Sequence, residues 1–173
     1  MIAKFKIELD DLIAVQSFLV TKSKFHKRNK LIGSIVAVIL LIIVNMTIFK
    51  ANLITMVIVS SVLFFATYNF IYKKAMVDQA KRLAKNNPSM INSECTLTVS
   101  EEGLLREQKN ATNNLEWKEI KLVSEDDERY LLYMSDIHVI VIKKNPNNMS
   151  EDDTQKYNQL LRNYFNQHNI AME

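Results

Sequence analysis

The dominant feature of the hydrophobic pattern is a pair of apolar stretches, residues 31–49 and 53–72, separated only by Lys50-Ala51-Asn52. As helices of about 19–20 residues they span roughly 28–30 Å, the thickness of the hydrocarbon core of a bilayer. Neither stretch contains Asp, Glu, Lys, Arg or His. The pattern predicts a helical hairpin that crosses a membrane twice.

The residues on either side of this hairpin are polar but patterned. Residues 2–7 alternate apolar and basic positions, which predicts a short strand. Asp10 or Asp11 is positioned to cap a following helix, which we expect to continue through a basic run and lie at the level of the lipid headgroups. Residues 73–87 predict a helical continuation of the second span, ended by Asn86-Asn87-Pro88.

From residue 94 the pattern becomes that of an antiparallel sheet. Residues 94–100 alternate, Glu101-Glu102-Gly103 forms a turn, and the sequence LLREQKN returns as a second strand. We expect about five short strands in this region, with turns every eight to twelve residues. The remaining expected features are a polar turn at 110–114, a strand segment LEWKEIKLV, a turn at SEDDE, a strand RYLLYMS, a reversal at Asp136 and a strand IHVIVIKK.

The chain ends in a predicted amphipathic helix. Ser150 and Asp153 form the start of a capping box, with Asp in place of the usual Glu, and the helix should run to about Asn166. Apolar residues at spacings of three and four form one stripe that faces a core. These residues are Tyr157, Leu160, Leu161, Tyr164 and Phe165.

Together these elements predict an α+β membrane protein: a two-helix transmembrane hairpin and a small antiparallel, barrel-like cytoplasmic domain capped by a C-terminal helix. We divide the chain into four segments. They are an N-terminal strand and amphipathic basic helix (1–30), the hairpin (31–72), a basic helical linker (73–87) and the soluble domain (88–173).

The distribution of charge predicts the orientation. The net charge is +4 over residues 1–30, +4 over residues 73–85 and −6 over residues 86–173. Short flanks rich in Lys and Arg stay on the cytoplasmic side, so both termini should be cytoplasmic in a multi-pass protein of the cell membrane. The acidic soluble part argues against nucleic-acid binding. The two basic collars are Lys22, Lys24, Lys27, Arg28 and Lys30 before the hairpin, and Lys73, Lys74, Lys81, Arg82 and Lys85 after it.

No catalytic, cofactor or metal motif is present, so we expect no enzyme activity and assign no site residues. His26, His138 and His168 are far apart in sequence, and His138 is interpreted as a surface residue of a strand. Cys95 is interpreted as a small buried side chain. The acidic run at 125–128 lacks the spacing of a calcium loop and is interpreted as a solvated hairpin tip.

Two features have both a structural and a functional interpretation. Trp117 is interpreted mainly as a core anchor, with contact to lipid or a partner as the alternative. The basic collars are explained by topology, with recognition of anionic lipid headgroups as the sharper hypothesis.

The order of these elements resembles the YcxB-like family of bacterial membrane proteins. The resemblance rests on the hairpin between basic runs, the turn at EEGL, the spacing of Trp117 and Ile120, the strand VIVIKK and the terminal helix. Ile142 departs from the pattern, which has Pro at that position. The resemblance implies a soluble part similar to bacterial pleckstrin-homology-like domains, with a partly open barrel plugged by the last helix. It implies no catalytic residue.

The leading functional hypothesis is a non-enzymatic interaction or regulatory module held at the cytoplasmic face of a bacterial membrane. Its expected partners are the lipid bilayer and an unidentified protein. The alternative is a small immunity or stress-protection protein whose hairpin blocks the membrane target of a toxic peptide.

Overall fold

The computed structural model describes residues 1–49, 52–88, 91, 93–109 and 111–173. Within them the chain is a mixed α and β protein. The helices are α1 (Leu9–Lys22), α2 (Lys24–Val44), α3 (Leu53–Ala66), α4 (Tyr72–Asn86) and α5 (Glu151–Gln167). The strands are β1 (Ile2–Lys6), β2 (Glu94–Val99), β3 (Gly103–Gln108), β4 (Ala111–Glu116), β5 (Leu122–Glu125), β6 (Arg129–Ser135), β7 (His138–Lys143) and β8 (Ala171–Met172).

Two long helices form the apolar hairpin. One spans the 25 residues Lys24–Ile48, and the other spans the 34 residues Leu53–Asn86. Both are long and apolar enough to cross a membrane. The second includes a π-helical turn, Thr67–Ile71, and continues through α4 as predicted. The predicted turn between the spans lies largely outside the described residues, which omit positions 50 and 51.

The boundary between α1 and α2 differs from the prediction. The backbone of Ser23 is extended, so α1 ends at Lys22 and the basic run forms the first turns of α2 rather than the end of α1. Ser23 also caps α2, because its side chain accepts a hydrogen bond from the His26 N–H at 3.2 Å. The N-cap of α1 is Glu8, not Asp10 or Asp11.

The strands form two four-stranded sheets, in the orders β1-β2-β3-β4 and β7-β6-β5-β8. The prediction of an antiparallel sheet capped by a C-terminal helix is confirmed, but the described strands do not close into a barrel. The reason is that β4 and β5 follow one another in the chain but belong to different sheets. A 3₁₀ turn, Trp117–Glu119, separates them. We call the two sheets together with α5 the module.

The N-terminal strand belongs to the module rather than to a separate segment. β1 pairs antiparallel with β2, with Phe5 opposite Cys95. Its other edge is covered, because the Asn147 N–H donates to the Lys4 carbonyl at 2.7 Å and the Lys4 N–H donates to Asn148 Oδ1 at 2.7 Å. The folded module is therefore built from both ends of the chain.

Two predictions about the middle of the module are wrong. Residues 111–114 form part of β4 instead of a turn, because Ala111 already pairs with Gln108 of β3. Position 110 itself lies outside the described residues. The segment LEWKEIKLV does not form one strand, since the 3₁₀ turn interrupts it. The described part of residues 94–143 holds six strands rather than about five.

The C-terminal helix covers the core as predicted. Ser150 caps α5 by accepting the Asp153 N–H at 3.2 Å. Of the predicted stripe, Tyr157, Leu161 and Phe165 are fully buried, and the other two members pack against the same core. After α5 the chain forms β8, which pairs parallel with β5 and was not predicted.

Candidate functional site

The candidate site is the hairpin base, where α1, the start of α2, α4 and the β6–β7 turn meet. α1 packs along α4 and also contacts β7, so the hairpin joins the module through packed side chains. Helix α1 thus contacts both the hairpin helices and strand β7 of the module. A ligand or partner bound here would contact both.

Asp136, in the β6–β7 turn, links the module to the hairpin. Its Oδ1 accepts the backbone N–H of Lys24 at 3.1 Å and the hydroxyl of Tyr133 at 2.5 Å. A carboxylate at this position is favourable because the first N–H groups of a helix lack intrahelical partners and carry partial positive charge.

These hydrogen bonds also change the protonation equilibria of the pair. The hydrogen bond from Tyr133, followed by that from the Lys24 backbone, lowers the pKa of Asp136. The same bond to Asp136, together with burial, raises the pKa of Tyr133 to about 12. The turn is therefore held by an ionised Asp136 and a protonated Tyr133 over the neutral pH range.

Two polar contacts cross between the helices of the hairpin near its base. His26 Nδ1 lies 3.0 Å from the hydroxyl of Tyr72. Lys30 Nζ lies 4.2 Å from the centre of the Tyr68 ring, a cation–π contact. Polar contacts of this kind fix the register of two helices whose other facing residues are apolar.

A cleft of about 350 Å³ opens at the hairpin base. Its walls are apolar side chains of α1 and α4, and Ile137, which is 72% exposed, lies at its rim. Such a surface can bind an apolar group but offers little acid–base chemistry. The lining residues are Leu12, Val15, Gln16, Leu19, His26, Met76, Gln79, Ala80, Leu83 and Ile137.

A buried charge cluster fastens α1 to the second sheet. Asp11 is fully buried, and its Oδ1 contacts Arg129 Nη1 at 2.8 Å and Lys143 Nζ at 2.9 Å. Its Oδ2 accepts the Glu8 N–H at 2.8 Å. Burial alone would lower the pKa of Lys143, but the hydrogen bonds to Asp11 and Glu8 raise it. Lys143 therefore stays charged, and the cluster positions α1 at the hairpin base.

The structure does not bring the histidines and the cysteine that the sequence analysis considered together in one site. His138 is exposed on β7, and His168 stacks on Trp117 with ring centroids 5.9 Å apart. Cys95 is fully buried, and burial raises the pKa of its thiol. The described residues include no group of three or more His, Cys, Asp or Glu side chains that could hold a metal ion.

The acidic run is only partly a solvated tip. Asp127 is exposed as expected, whereas Glu125 contacts Lys144 at 2.9 Å and Arg162 at 2.7 Å. Burial alone would raise the pKa of Glu125, but the hydrogen bond and charge of Lys144 lower it, with a further contribution from Arg162. The run therefore joins β5 to α5.

Trp117 is a core residue, as predicted. It is 1% exposed, and its indole N–H donates to the Ser100 carbonyl at 3.2 Å. Its ring stacks on Tyr164 at 5.0 Å. This placement leaves the indole no free surface for lipid or a partner.

Sequence reasoning did not identify the residues that join the hairpin to the module. Asp136 was recognised only as a turn residue, and Asp11 only as a helix cap. A Ser followed by a helical run is a recognisable N-cap signal, so the break at Ser23 could have been found. The partners that join the two aspartates to other elements, Lys24 for Asp136 and Arg129 for Asp11, lie more than 100 positions away in the chain, and no local pattern reveals them.

The family model described as YcxB-like protein matches residues 99–161, which extend from the end of β2 into α5. The matched segment contains the EEGL turn, Trp117 and the VIVIKK strand, so the resemblance based on these features is confirmed for this part of the chain. No curated protein matches the chain.

Proposed function

We propose, starting from the match of residues 99–161 to the YcxB-like protein family, that the chain is a non-enzymatic interaction or regulatory module. The apolar hairpin would anchor this module in a bacterial membrane. Both termini and the module would lie on the cytoplasmic side. The observation that carries the proposal is the combination of a hairpin with uncovered apolar surface and a module packed directly against its base.

The exposure of the hairpin supports an anchor rather than a soluble helical pair. Leu53 and Ile54 are each 72% exposed, and Ile48 is 69% exposed. In the most apolar 18-residue stretch of the second helix no residue is buried, and in that of the first helix only 6% of the residues are buried. Removing such apolar surface from water is favourable by about 25 cal/mol per Å². A bilayer provides that environment for both helices at once.

The proposed orientation follows from the basic collars and from the geometry of the base. Lys24 and Lys30 lie at the start of α2, and Lys73 and Lys74 lie at the start of α4, so the two collars are at the same end of the hairpin. Retention of positive flanks on the cytoplasmic side then places the module there too. A pleckstrin-homology-like module is part of this proposal, and two mainly antiparallel sheets covered by a C-terminal helix are compatible with it.

An interaction role is supported by the chemistry of the cleft and by the fixed attachment of the module. The cleft is largely apolar, with His26 as its one titratable lining residue among the described positions. A module that is fixed to the membrane meets membrane-bound partners at high effective concentration. The hydrogen bond from Lys24 to Asp136 fixes the position of the cleft relative to the hairpin.

The orientation can be tested in the full chain by accessibility of single cysteines. In a Cys95→Ser background, Asn114→Cys places a thiol on the module and Asn52→Cys places one at the opposite end of the hairpin. An impermeant maleimide should label Asn114→Cys only in inside-out vesicles and Asn52→Cys only in right-side-out vesicles. Release of the protein by alkaline carbonate, or the reverse labelling pattern, would contradict the anchor.

The interaction role can be tested by photo-cross-linking from the rim of the cleft. A photoreactive residue at Ile137 should give a discrete protein adduct in intact membranes, whereas the same residue at the exposed Asp127 should not. Expression of the hairpin alone, residues 24–86, should give no phenotype if the module carries the activity. Full activity of that hairpin would support the protective role instead.

A further inference from the structure

One surface outside the hairpin base combines a groove with unpaired charge. A groove of about 410 Å³ lies at the junction of the π-helical turn Thr67–Ile71 and α4. A π-helical turn contains one residue more per turn than an α-helix and frequently marks a functional position. The groove is lined by Asn69, Phe70, Ile71, Lys73, Lys74 and Val77.

The wall of the groove is apolar and open. Phe70 is 66% exposed and Ile71 is 51% exposed. Two side chains of the turn donate hydrogen bonds within the helix: Asn69 Nδ2 to the Phe65 carbonyl at 3.0 Å and Thr67 Oγ1 to the Leu63 carbonyl at 2.8 Å. The groove therefore presents hydrocarbon to a ligand on this side.

The other end of the groove is positively charged. Lys73 and Lys74 are exposed, and among the described residues neither has a carboxylate within salt-bridge distance. Asp78 is the one acidic residue of α4 and makes no such contact. By contrast, Arg129, Lys143, Lys144 and Arg162 of the module are each paired with carboxylates.

The order of these groups along the helix matches the layers of a phospholipid leaflet. Lys73 follows Phe70 by three positions and Lys74 follows Ile71 by three, which places each lysine about 4.5 Å further along the helix axis than its apolar neighbour. In the proposed orientation the apolar wall lies at the level of the acyl chains and the lysines lie at the level of the phosphates. An acyl chain fits the first part of the groove, and a phosphate fits the second.

We propose that this groove binds one anionic phospholipid, with an acyl chain against Phe70 and Ile71 and the phosphate against Lys73 and Lys74. The inference rests on the anchoring part of the proposed function and adds a specific lipid site to it. The charge complementarity of two unpaired cations favours a lipid with net negative charge over a zwitterionic one.

The test is native mass spectrometry of the full chain in detergent, titrated with phosphatidylglycerol or with phosphatidylcholine of the same acyl chains. The wild type should bind phosphatidylglycerol more tightly than phosphatidylcholine. K73Q/K74Q should weaken phosphatidylglycerol binding about 30-fold, since each lysine near anionic lipid contributes about 1 kcal/mol. The matched variant K81Q/R82Q removes two exposed charges of the same helix further from the groove and should change binding less than twofold or so.

Several outcomes would overturn the inference. Equal affinity for the two lipids, or equal loss in both double variants, would show that the groove confers no recognition of anionic lipid. A dimer or a protein adduct on this face that the lipid does not displace would assign the groove to a protein. Carbonate extraction of the same variants distinguishes failure of the lipid site from failure of the membrane anchor. A protein that stays in the membrane but shows no lipid preference refutes the lipid site alone. A protein released by carbonate refutes the anchor.

Discussion

Asp11 and Arg129 are 118 residues apart in the chain, yet their side chains form a buried ion pair at 2.8 Å. Asp11 is fully buried and Arg129 is 7% exposed. The pair holds the helix that precedes the hairpin against the sheet that follows it. A buried pair of this kind fixes the relative position of two elements, because each charge is costly to bury without the other.

Asp11→Ala should destabilise the module, because Arg129 and the half-buried Lys143 lose their shared buried carboxylate and keep only the more exposed carboxylates of Glu8, Asp126 and Glu128. The expected loss is about 1–3 kcal/mol in the free energy of unfolding. Denaturation of the full chain in detergent can be followed by the fluorescence of Trp117, the single tryptophan. Asp10→Ala, at an exposed position of the same helix turn, should change stability by about 0.5 kcal/mol or less. Similar effects of the two variants would show that the buried pair is not important.

The two glycines of the chain should respond oppositely to alanine. Gly103 has φ +156°, and a Cβ there would lie 2.0 Å from the Leu115 carbonyl oxygen. Gly103→Ala should therefore cost about 1–3 kcal/mol or prevent the β3–β4 pairing. A Cβ on Gly33 meets no atom within 4 Å, and Ala favours a helix, so Gly33→Ala should be neutral or slightly stabilising. Thermal unfolding of both purified variants tests this, and a tolerated Gly103→Ala would contradict it.

β1 should be essential to the module although it precedes the hairpin. Phe5 is 1% exposed in the shared core, so Phe5→Ala should cost about 3–5 kcal/mol. Ile2 is on the same strand but 53% exposed, and Ile2→Ala should have an effect within about 0.5 kcal/mol. Limited proteolysis of the full-length variants measures the difference. For the same reason a fragment that begins at residue 88 should not fold, and a stable fragment would contradict the role of β1.

The contact of Tyr133 with Asp136 predicts a dependence of stability on alkaline pH. The pKa of Tyr133 is raised from 10.0 to about 12 in the folded chain, first by the hydrogen bond to Asp136 and then by burial. The folded state thus favours the protonated phenol. Its contribution to stability is complete below about pH 10 and is lost as the pH rises from about 10 to about 12.

The difference in unfolding free energy between the wild type and Tyr133→Phe should therefore decrease over that pH range. Denaturation midpoints from about pH 9 to about pH 12 give this difference directly. Tyr164→Phe is the control, since the Tyr164 hydroxyl makes no hydrogen bond among the described residues. A difference that stays constant with pH would show that the contact with Asp136 does not stabilise the turn.

Local patterns were sufficient for several elements. Hydrophobic period and composition predict four features that the structure contains. These are the long apolar helices of the hairpin, the strand of residues 94–99, the reversal at Asp136 and the apolar stripe of α5. The predicted turn is wrong at residues 111–114, because it was inferred from a segment rich in Ala and Asn, which have weak strand preference on their own. Pairing with β3 overrides that preference at the edge of the sheet.

The amino-acid sequence alone determined the long helices, most of the strands and where positive charge flanks the apolar stretches, because these depend on neighbours within a few positions. Only the tertiary structure decided that β1 joins the module, that the strands form two sheets, and that Asp11 and Asp136 fix the module to the hairpin base. The β1–β2 pairing and the contacts of Asp11 and Asp136 join residues 88 to 118 positions apart, and their formation depends on the simultaneous packing of both ends of the chain around one core.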